Sequence, residues 1–256
     1  MGRAMDYDGF AGQYRLSRWA FPWIEDALHD ELSDLPDGAH VVEIGCGTGN
    51  YIIELAKRAP RRIYQGFDRS KEMLALAVPR LPGISYEPAD ADRRFPYGDG
   101  SVDAAFAVDV IHHIERLDVF FREASRVLKP GGKLLIVTDS EDDIRNRSLT
   151  RFFPEILEIE LERYPAVANL LERAGENSLR ALAPVPAEGF IEIDGDFIAK
   201  LESRCSSAMR LIAAEAHRRG VDRVREAMGR GERWLSCYTM LRFVRNDGSE
   251  RRDEDP

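Results

Sequence analysis

The sequence predicts an α/β protein: a mostly parallel seven-stranded sheet with helices on both faces and a helical lid inserted before the last strand. Three observations carry this expectation. From Val41 to Thr138, short apolar segments alternate with helix-period segments, the pattern of parallel strands joined by crossover helices. The first of those strands, Val41-Val42-Glu43-Ile44, runs straight into Gly45-Cys46-Gly47-Thr48-Gly49 and then into a helix-period segment from Tyr51 to Arg58. From Asp196 to Gly231 the alternation stops, and Phe197, Leu201, Cys205 and Met209 form one helical stripe at i, i+4 spacing.

Taken in order, residues 1–40 read as an N-terminal helical cap. Phe10, Tyr14 and Arg18 share one face, and Pro22 opens a second helix with an apolar stripe of Ile24, Leu28, Leu32 and Leu35. Strands are expected at 40–44, 63–67, 84–87, 104–108 and 133–138. Ser140 to Thr150 is polar and charged; Phe152–Tyr164 and Ala166–Gly175 then read as helices parted at Pro165. An irregular strand over Arg180–Ile193, interrupted by Pro184, Pro186 and Gly189, and a clear one over Trp234–Val244 complete the sheet. Residues 41–245 are thus expected to form one domain with its lid at about 196–231, and the charged segment 246–256 reads as disordered. A chain of 256 residues can bury a full core in this way.

The glycine run is where chemistry enters. A strand, a glycine-rich turn and a helix N-terminus place backbone N–H groups at the carboxyl end of a parallel strand, where ligands of open α/β sheets bind. The next apolar segment, Ile63 to Phe67, ends in Asp68. A carboxylate there can accept from two vicinal ribose hydroxyls. The spacing departs from the dinucleotide fingerprint, since the third glycine comes one residue early and position 50 is Asn. Glu43 beside the loop would repel a pyrophosphate and suits a cationic ligand group.

These residues resemble the class I S-adenosylmethionine-dependent methyltransferases, a family with a Rossmann-like sheet. Val42 to Gly49 looks like the family's opening motif, and Asp68-Arg69-Ser70-Lys71-Glu72-Met73-Leu74 like its ribose-binding turn. Asp90-Ala91 is similar to its adenine contact, Tyr97 to Asp103 to the segment entering the fourth strand, and Val127 to Ile136 to the turn and fifth strand. The resemblance covers roughly residues 38–140 and is strongest to the small-molecule branch that includes ubiquinone and menaquinone biosynthesis methyltransferases. It implies S-adenosyl-L-methionine as cofactor, held by Glu43, Gly45, Cys46, Gly47 and Asn50, by Asp68, Arg69 and Met73, by Asp90 and Ala91, and by Val108 and Asp109. It further implies that Tyr14 closes over the methionine end while Arg18 pairs with its carboxylate. Two positions depart from the family: Arg69 replaces an apolar residue, and an extra residue makes Asp92 compete with Asp90.

Methyl transfer from a sulfonium needs a positioned nucleophile, and a base only where that nucleophile must lose a proton. Candidates cluster in Val108-Asp109-Val110-Ile111-His112-His113, so Asp109, His112 and His113 are the catalytic expectation. Residues adjacent on a helix point about 100° apart, so the two histidines are not expected to share one small pocket or one metal. No metal site is expected. Arg145, Arg147 and Arg151 follow the fifth strand at the pocket mouth; of these Arg145 and Arg151, with Leu201 and Met209 of the lid, are the substrate-side expectation. The Pro-Pro-Tyr segment of enzymes that methylate base amines is absent, as is the Pro-Cys nucleophile used on cytosine.

Composition narrows the partners. A net charge of −9 gives no basic stripe for nucleic acid. The apolar runs are strand-sized and no secretory pattern precedes them, so the sequence reads as a cytoplasmic protein with neither nucleic acid nor membrane as partner. Its oligomeric state is left open, a homodimer included. Three cysteines without Cys-x-x-Cys spacing read as free thiols. The expected function is methyl transfer to O, N or C of a small metabolite. A nicotinamide-dependent oxidoreductase and a non-catalytic S-adenosylmethionine sensor are the alternatives.

Overall fold

The structure, a computed structural model, describes residues 20–77, 80–204 and 206–247. The expectations on Tyr14, Arg18 and Cys205, and on most of the charged tail, fall outside the described residues.

Five strands pair in parallel: β1 (His40–Ile44), β2 (Ile63–Asp68), β3 (Ile84–Pro88), β4 (Val102–Val108) and β5 (Leu128–Thr138). β9 (Thr239–Arg245) and β6 (Leu179–Pro186) extend the sheet, with β9 antiparallel to both of its neighbours, giving the order β3-β2-β1-β4-β5-β9-β6. Successive strand residues face opposite layers. Val41, Ala104, Phe106, Leu135 and Val137 pack with α1 (Pro22–Leu32) and α2 (Asn50–Arg58). Val42, Ile44, Ala105, Ala107, Leu134 and Ile136 pack on the other side with α4 (Leu117–Val127) and α8 (Val167–Glu176). A strand covered on both faces is apolar on both, which is why β4 reads as an unbroken run from Ala104 to Val108. The short α3 (Lys71–Ala77) joins β2 to β3. No helix among the described residues is long and apolar enough to cross a membrane.

After β5 come α5 (Glu141–Asn146), α6 (Ser148–Phe152), a 3-10 turn at Pro154–Ile156 and α7 (Leu157–Arg163). A capping box starts α5: the Ser140 hydroxyl accepts from the Asp143 N–H while the Asp143 carboxylate accepts from the Ser140 N–H. Two short helices therefore occupy the stretch that the sequence marks only as polar. Pro154 breaks the expected 152–164 helix into two pieces.

The end of the chain differs from expectation in an instructive way. β6 and β9 slip register between Leu182 and Val185, around Pro184, which has no N–H to give to a ladder. From Val185↔Met240 onward the pairing continues without a break. Ala187 and Tyr238 exchange N–H···O bonds at 2.7 and 3.1 Å, and β7 (Gly189–Glu192) and β8 (Arg233–Ser236) carry the same register to Glu192↔Arg233. One antiparallel ribbon thus leaves the seven-stranded sheet. The single strand expected over Trp234–Val244 is two, split at Cys237–Tyr238 and belonging to different sheets. Gly189 marks the bend, because a Cβ there would lie 2.2 Å from the Trp23 ring of α1.

At the ribbon's tip sits the cap, formed by α9 (Gly195–Glu202), a 3-10 turn at Ala208–Arg210 and α10 (Ala214–Gly229). The helical segment expected over 196–231 is divided between Glu202 and Ala214. Serine hydroxyls there bond the backbone instead of extending the helix: Ser203 Oγ donates to Lys200 O, and Ser206 Oγ accepts from the Met209 N–H. Arg204 adopts a left-handed φ of 54°. Phe197, Leu201 and Met209 still meet, in a core separate from the sheet's, with Phe153, Ile156, Val224 and Trp234.

Gly189→Ala should force Trp23 or the ribbon to shift, at an overpacking cost of about 1–3 kcal/mol. Urea unfolding should show the loss, and Trp23→Ala added to it should be strongly less than additive. Additive losses would mean that the two residues do not constrain each other.

Candidate active site

Two cavities open at the carboxyl ends of the parallel strands. The smaller, about 110 Å³, is bounded by Phe67, Asp68, Arg69, Met73, Asp90, Ala91, Asp92 and His113. The larger, about 200 Å³, is bounded by Glu43, Cys46, Asn50, Tyr51, Asp139 and Arg147 from the sheet side, and by Phe197, Lys200, Leu201 and Met209 from the cap. Gly45, Gly47, Val108 and Asp109 form walls of both. The loops after β1 and β4 diverge to opposite faces of the sheet here, so a crevice is left between them.

Local chemistry fixes each group. The Asp68 carboxylate accepts from the Gly47 N–H at 2.9 Å and from the Ser70 N–H at 2.8 Å, tying the loop after β1 to the loop after β2. Burial raises its carboxyl above the usual range, opposed by those two bonds. Glu43 is deeper; its Oε2 accepts from the Ile52 N–H at 3.1 Å. Burial, with a smaller contribution from Asp68, pushes Glu43 up to about 8, so it is uncharged at neutral pH. A buried carboxyl in that state is poised to ionise against a cation. Gly47 has a φ of +51°, and a Cβ built on it meets no protein atom within 4 Å. The space above it is ligand space.

Asp109 follows β4 with a left-handed φ of 55° and does not cap a helix. Its Oδ1 accepts from the Tyr164 hydroxyl at 2.9 Å. Asp139 follows β5, almost fully buried, 2.6 Å from Nη1 of Arg147. Nη2 of Arg147 reaches Glu160 at 2.5 Å, and Glu160 also pairs with Arg163 at 2.6 Å. Burial pushes the Asp139 carboxyl up to about 6, helped by Asp109 and Glu160 and opposed by Arg147 and Tyr164. These charges hold the Arg147 guanidinium firmly protonated.

Of the residues singled out from sequence, the structure gathers Glu43, Gly45, Cys46, Gly47, Asn50, Asp68, Arg69, Met73, Asp90, Ala91, Val108, Asp109, His113, Leu201 and Met209 around the two cavities. Asp92 joins them, with Oδ1 taken by the Arg116 N–H at 2.7 Å. Three others lie elsewhere. His112 lines neither cavity: its ring stacks on Tyr164 at 4.2 Å, with Nδ1 3.6 Å from Asp109. Arg145 is exposed and donates to the Glu141 carbonyl of its own helix. Arg151 is drawn to the surface by Glu232 at 2.7 Å. Arg147 occupies the extended junction between α5 and α6, at φ −70° and ψ 156°, and is buried there, whereas Arg145 and Arg151 lie on the exposed faces of the two helices. Asp139, Trp234 and Tyr238 were missed. Asp139 carries the same strand-tip signal as Asp68 and Asp109, whereas Tyr238 was hidden inside an apparently continuous strand.

Residues 42–136 match a family model described as a methyltransferase domain. The chain is 34% identical over 163 residues to trans-aconitate 2-methyltransferase of Azoarcus sp., covering 63% of this chain and 58% of that protein. It is 29% identical over 160 residues to methyltransferase GfsG of Streptomyces halstedii, covering 59% and 56%. Among solved structures, geranyl diphosphate C-methyltransferase of Streptomyces coelicolor, crystallised with S-adenosyl-L-homocysteine, superposes with a TM-score of 0.58 at 16% identity over 94% of this chain and 84% of that one. Residues 42–136 thus form a methyltransferase domain, and the chain is similar to methyltransferases that use S-adenosylmethionine. Its cofactor is S-adenosyl-L-methionine, and the nicotinamide alternative falls away. The matched segment spans less than two thirds of either curated relative.

The site fits that cofactor on its own chemistry. Glu43 offers a buried carboxyl to a cation, Asp68 keeps lone pairs for vicinal hydroxyls, and the space over Gly47 lets a ligand lie on the backbone. Because cation binding favours ionised Glu43, S-adenosylmethionine should bind more tightly as pH rises toward 8 and should release a proton at neutral pH. Calorimetry in two buffers of different ionisation enthalpy reads that proton. Glu43→Gln should abolish the difference; a buffer-independent enthalpy in the unaltered protein would contradict the assignment. Gly47→Val should remove measurable cofactor binding while the protein still unfolds cooperatively, since the side chain enters the cavity and the left-handed backbone adds about 1–2 kcal/mol of strain. Undiminished binding would make the loop a turn and nothing more.

Proposed function

We propose that this protein is an enzyme that moves the methyl group of S-adenosyl-L-methionine to an oxygen, nitrogen or carbon atom of a small molecule held under the cap, by in-line displacement. The observation that carries this reading is the meeting of two cavities at one wall of Gly45, Gly47, Val108 and Asp109. The smaller, with Asp68 and Asp90, suits an adenosine. The larger suits the methionine end together with an acceptor.

When bound, the cofactor supplies a methyl carbon made electrophilic by a positively charged sulfur. The chain's contribution is position, and well-oriented groups can reach effective molarities of about 10⁵ to 10⁸ M. Asp68, pinned by two N–H groups, fixes the ribose end. Glu43 balances charge at the methionine end. Phe197, Leu201 and Met209 close the acceptor space from above and exclude water from it. A small acceptor is favoured over a polynucleotide because the space is roofed and the chain carries a net charge of −9. The name of the Azoarcus relative, which specifies trans-aconitate, is in keeping with an acceptor of small size and carries no argument about its charge.

Incubation with S-adenosylmethionine and a broad metabolite panel, followed by mass detection of S-adenosylhomocysteine, tests the reading. Turnover is expected, and Asp68→Ala should lower kcat/KM for the cofactor tenfold or more, as the loss of charge-assisted hydrogen bonds of about 1.5–3 kcal/mol requires. Tight cofactor binding without transfer to any member of the panel would favour the sensor instead.

A further inference from the structure

We propose that Asp139 is the proton acceptor of the reaction and that the methyl acceptor is an uncharged hydroxyl compound, a phenol or enol on an apolar body. This rests on the methyltransferase reading above and concerns the far side of the same site. Asp139 is 2% exposed and borders the larger cavity. Its Oδ1 lies 2.6 Å from Nη1 of Arg147, yet no aligned donor among the described residues hydrogen-bonds it. An ion pair without an aligned hydrogen bond leaves lone-pair capacity on this buried oxygen, and a hydroxyl entering the cavity would fill it.

The charges around it select among acceptors. Asp109 at the tip of β4, Glu160 and Tyr164 at the end of α7, Arg147 between α5 and α6, and Cys237 in the ribbon all face Asp139. Arg147 is already engaged by two carboxylates, Asp139 and Glu160. An anionic acceptor would therefore meet Asp109 and Asp139 without a free guanidinium to receive it. Among the described residues, Lys200 of the cap is the other cationic residue bordering the same cavity. An amine would fare differently but no better: beside two carboxylates it stays an ammonium and has no lone pair to attack with. A neutral hydroxyl suits both the floor and the aromatic walls of Phe21, Trp234 and Tyr238.

The step balances. The hydroxyl oxygen forms a bond to the methyl carbon as the carbon–sulfur bond breaks, and that bonding pair stays on sulfur. The hydroxyl proton passes to Oδ1 of Asp139, which later gives it to water. A base is needed here because a neutral hydroxyl must lose its proton as it attacks.

Three matched probes test the proposal on the protein saturated with S-adenosylhomocysteine: 4-ethylphenol, 4-ethylbenzoate and 4-ethylbenzylamine, titrated by calorimetry. The phenol should bind at least about tenfold more tightly than either charged analogue, and Asp139→Asn should erase that preference while leaving S-adenosylhomocysteine affinity intact. Where the phenol turns over with S-adenosylmethionine, kcat/KM should rise with pH through a limb near 6 and then level off, since the base works only when ionised. The limb should vanish in Asp139→Asn. A charged probe that binds as well as the phenol, or a preference and pH limb that survive the substitution, would overturn the proposal. If Asp139→Asn fails to hold S-adenosylhomocysteine, the order of the three probes on the unaltered protein decides alone. Failure of the unaltered protein to bind S-adenosylhomocysteine would instead sink the cofactor reading.

Discussion

Everything in the site depends on the reversal of strand order between β1 and β4. Parallel strands need crossovers, and right-handed crossovers on opposite faces pull the two following loops apart. The crevice between them is a consequence of topology and requires no special residue. What the sequence adds is a carboxylate at or near the end of each of the five parallel strands: Glu43, Asp68, Asp90, Asp109 and Asp139, each bordering one of the two cavities. Such a ring of like charges in a buried crevice carries an energetic cost. Part of it is offset by protonation, as at Glu43, and part by fixed donors, as at Asp68 and Asp109. The remainder is what a cationic ligand can neutralise.

The cap is joined to this ring by a continuous polar chain. Asp139 pairs with Arg147, Arg147 with Glu160, Glu160 with Arg163, and Arg163 donates to the Ser207 hydroxyl next to the turn that carries Met209. Breaking one member of a buried ion set leaves the others uncompensated, typically at 3–5 kcal/mol. The chain therefore fixes where the cap sits relative to the β5 tip. The antiparallel ribbon of β6–β7 and β8–β9 does the same from the opposite edge, with Gly189 making room for Trp23.

Much of this was legible in the sequence because the sheet has strong local signals. β1 coincides with the expected strand over 40–44, and β2, β3 and β4 extend theirs by a residue or two. Such strands are apolar on both faces and punctuated by glycines and acids. The loops that border the two cavities were legible for the same reason, since glycine spacing and strand-tip carboxylates are properties of short segments. The cap was not. The break between α9 and α10 is accompanied by side-chain-to-backbone bonds of two serines, Ser203 and Ser206, which a periodicity of apolar residues does not reveal. The choice of Arg147 over Arg145 and Arg151 depends on where two helices only six and five residues long break, since Arg147 is the extended residue between them. His112 and His113 adopt a 3-10 turn, so one ring faces the smaller cavity and the other stacks on Tyr164.

The central claim is that a single ligand bridges the two cavities across Gly47 and Asp109. A crystal structure of the protein soaked with S-adenosyl-L-homocysteine tests it most directly. The account predicts the adenosine against Asp68 and Asp90, the ribose hydroxyls on the Asp68 carboxylate, and the sulfur above Gly47 facing the space bounded by Asp139 and Met209. Density for the ligand anywhere else, or across the wall with its ribose away from Asp68, would contradict it.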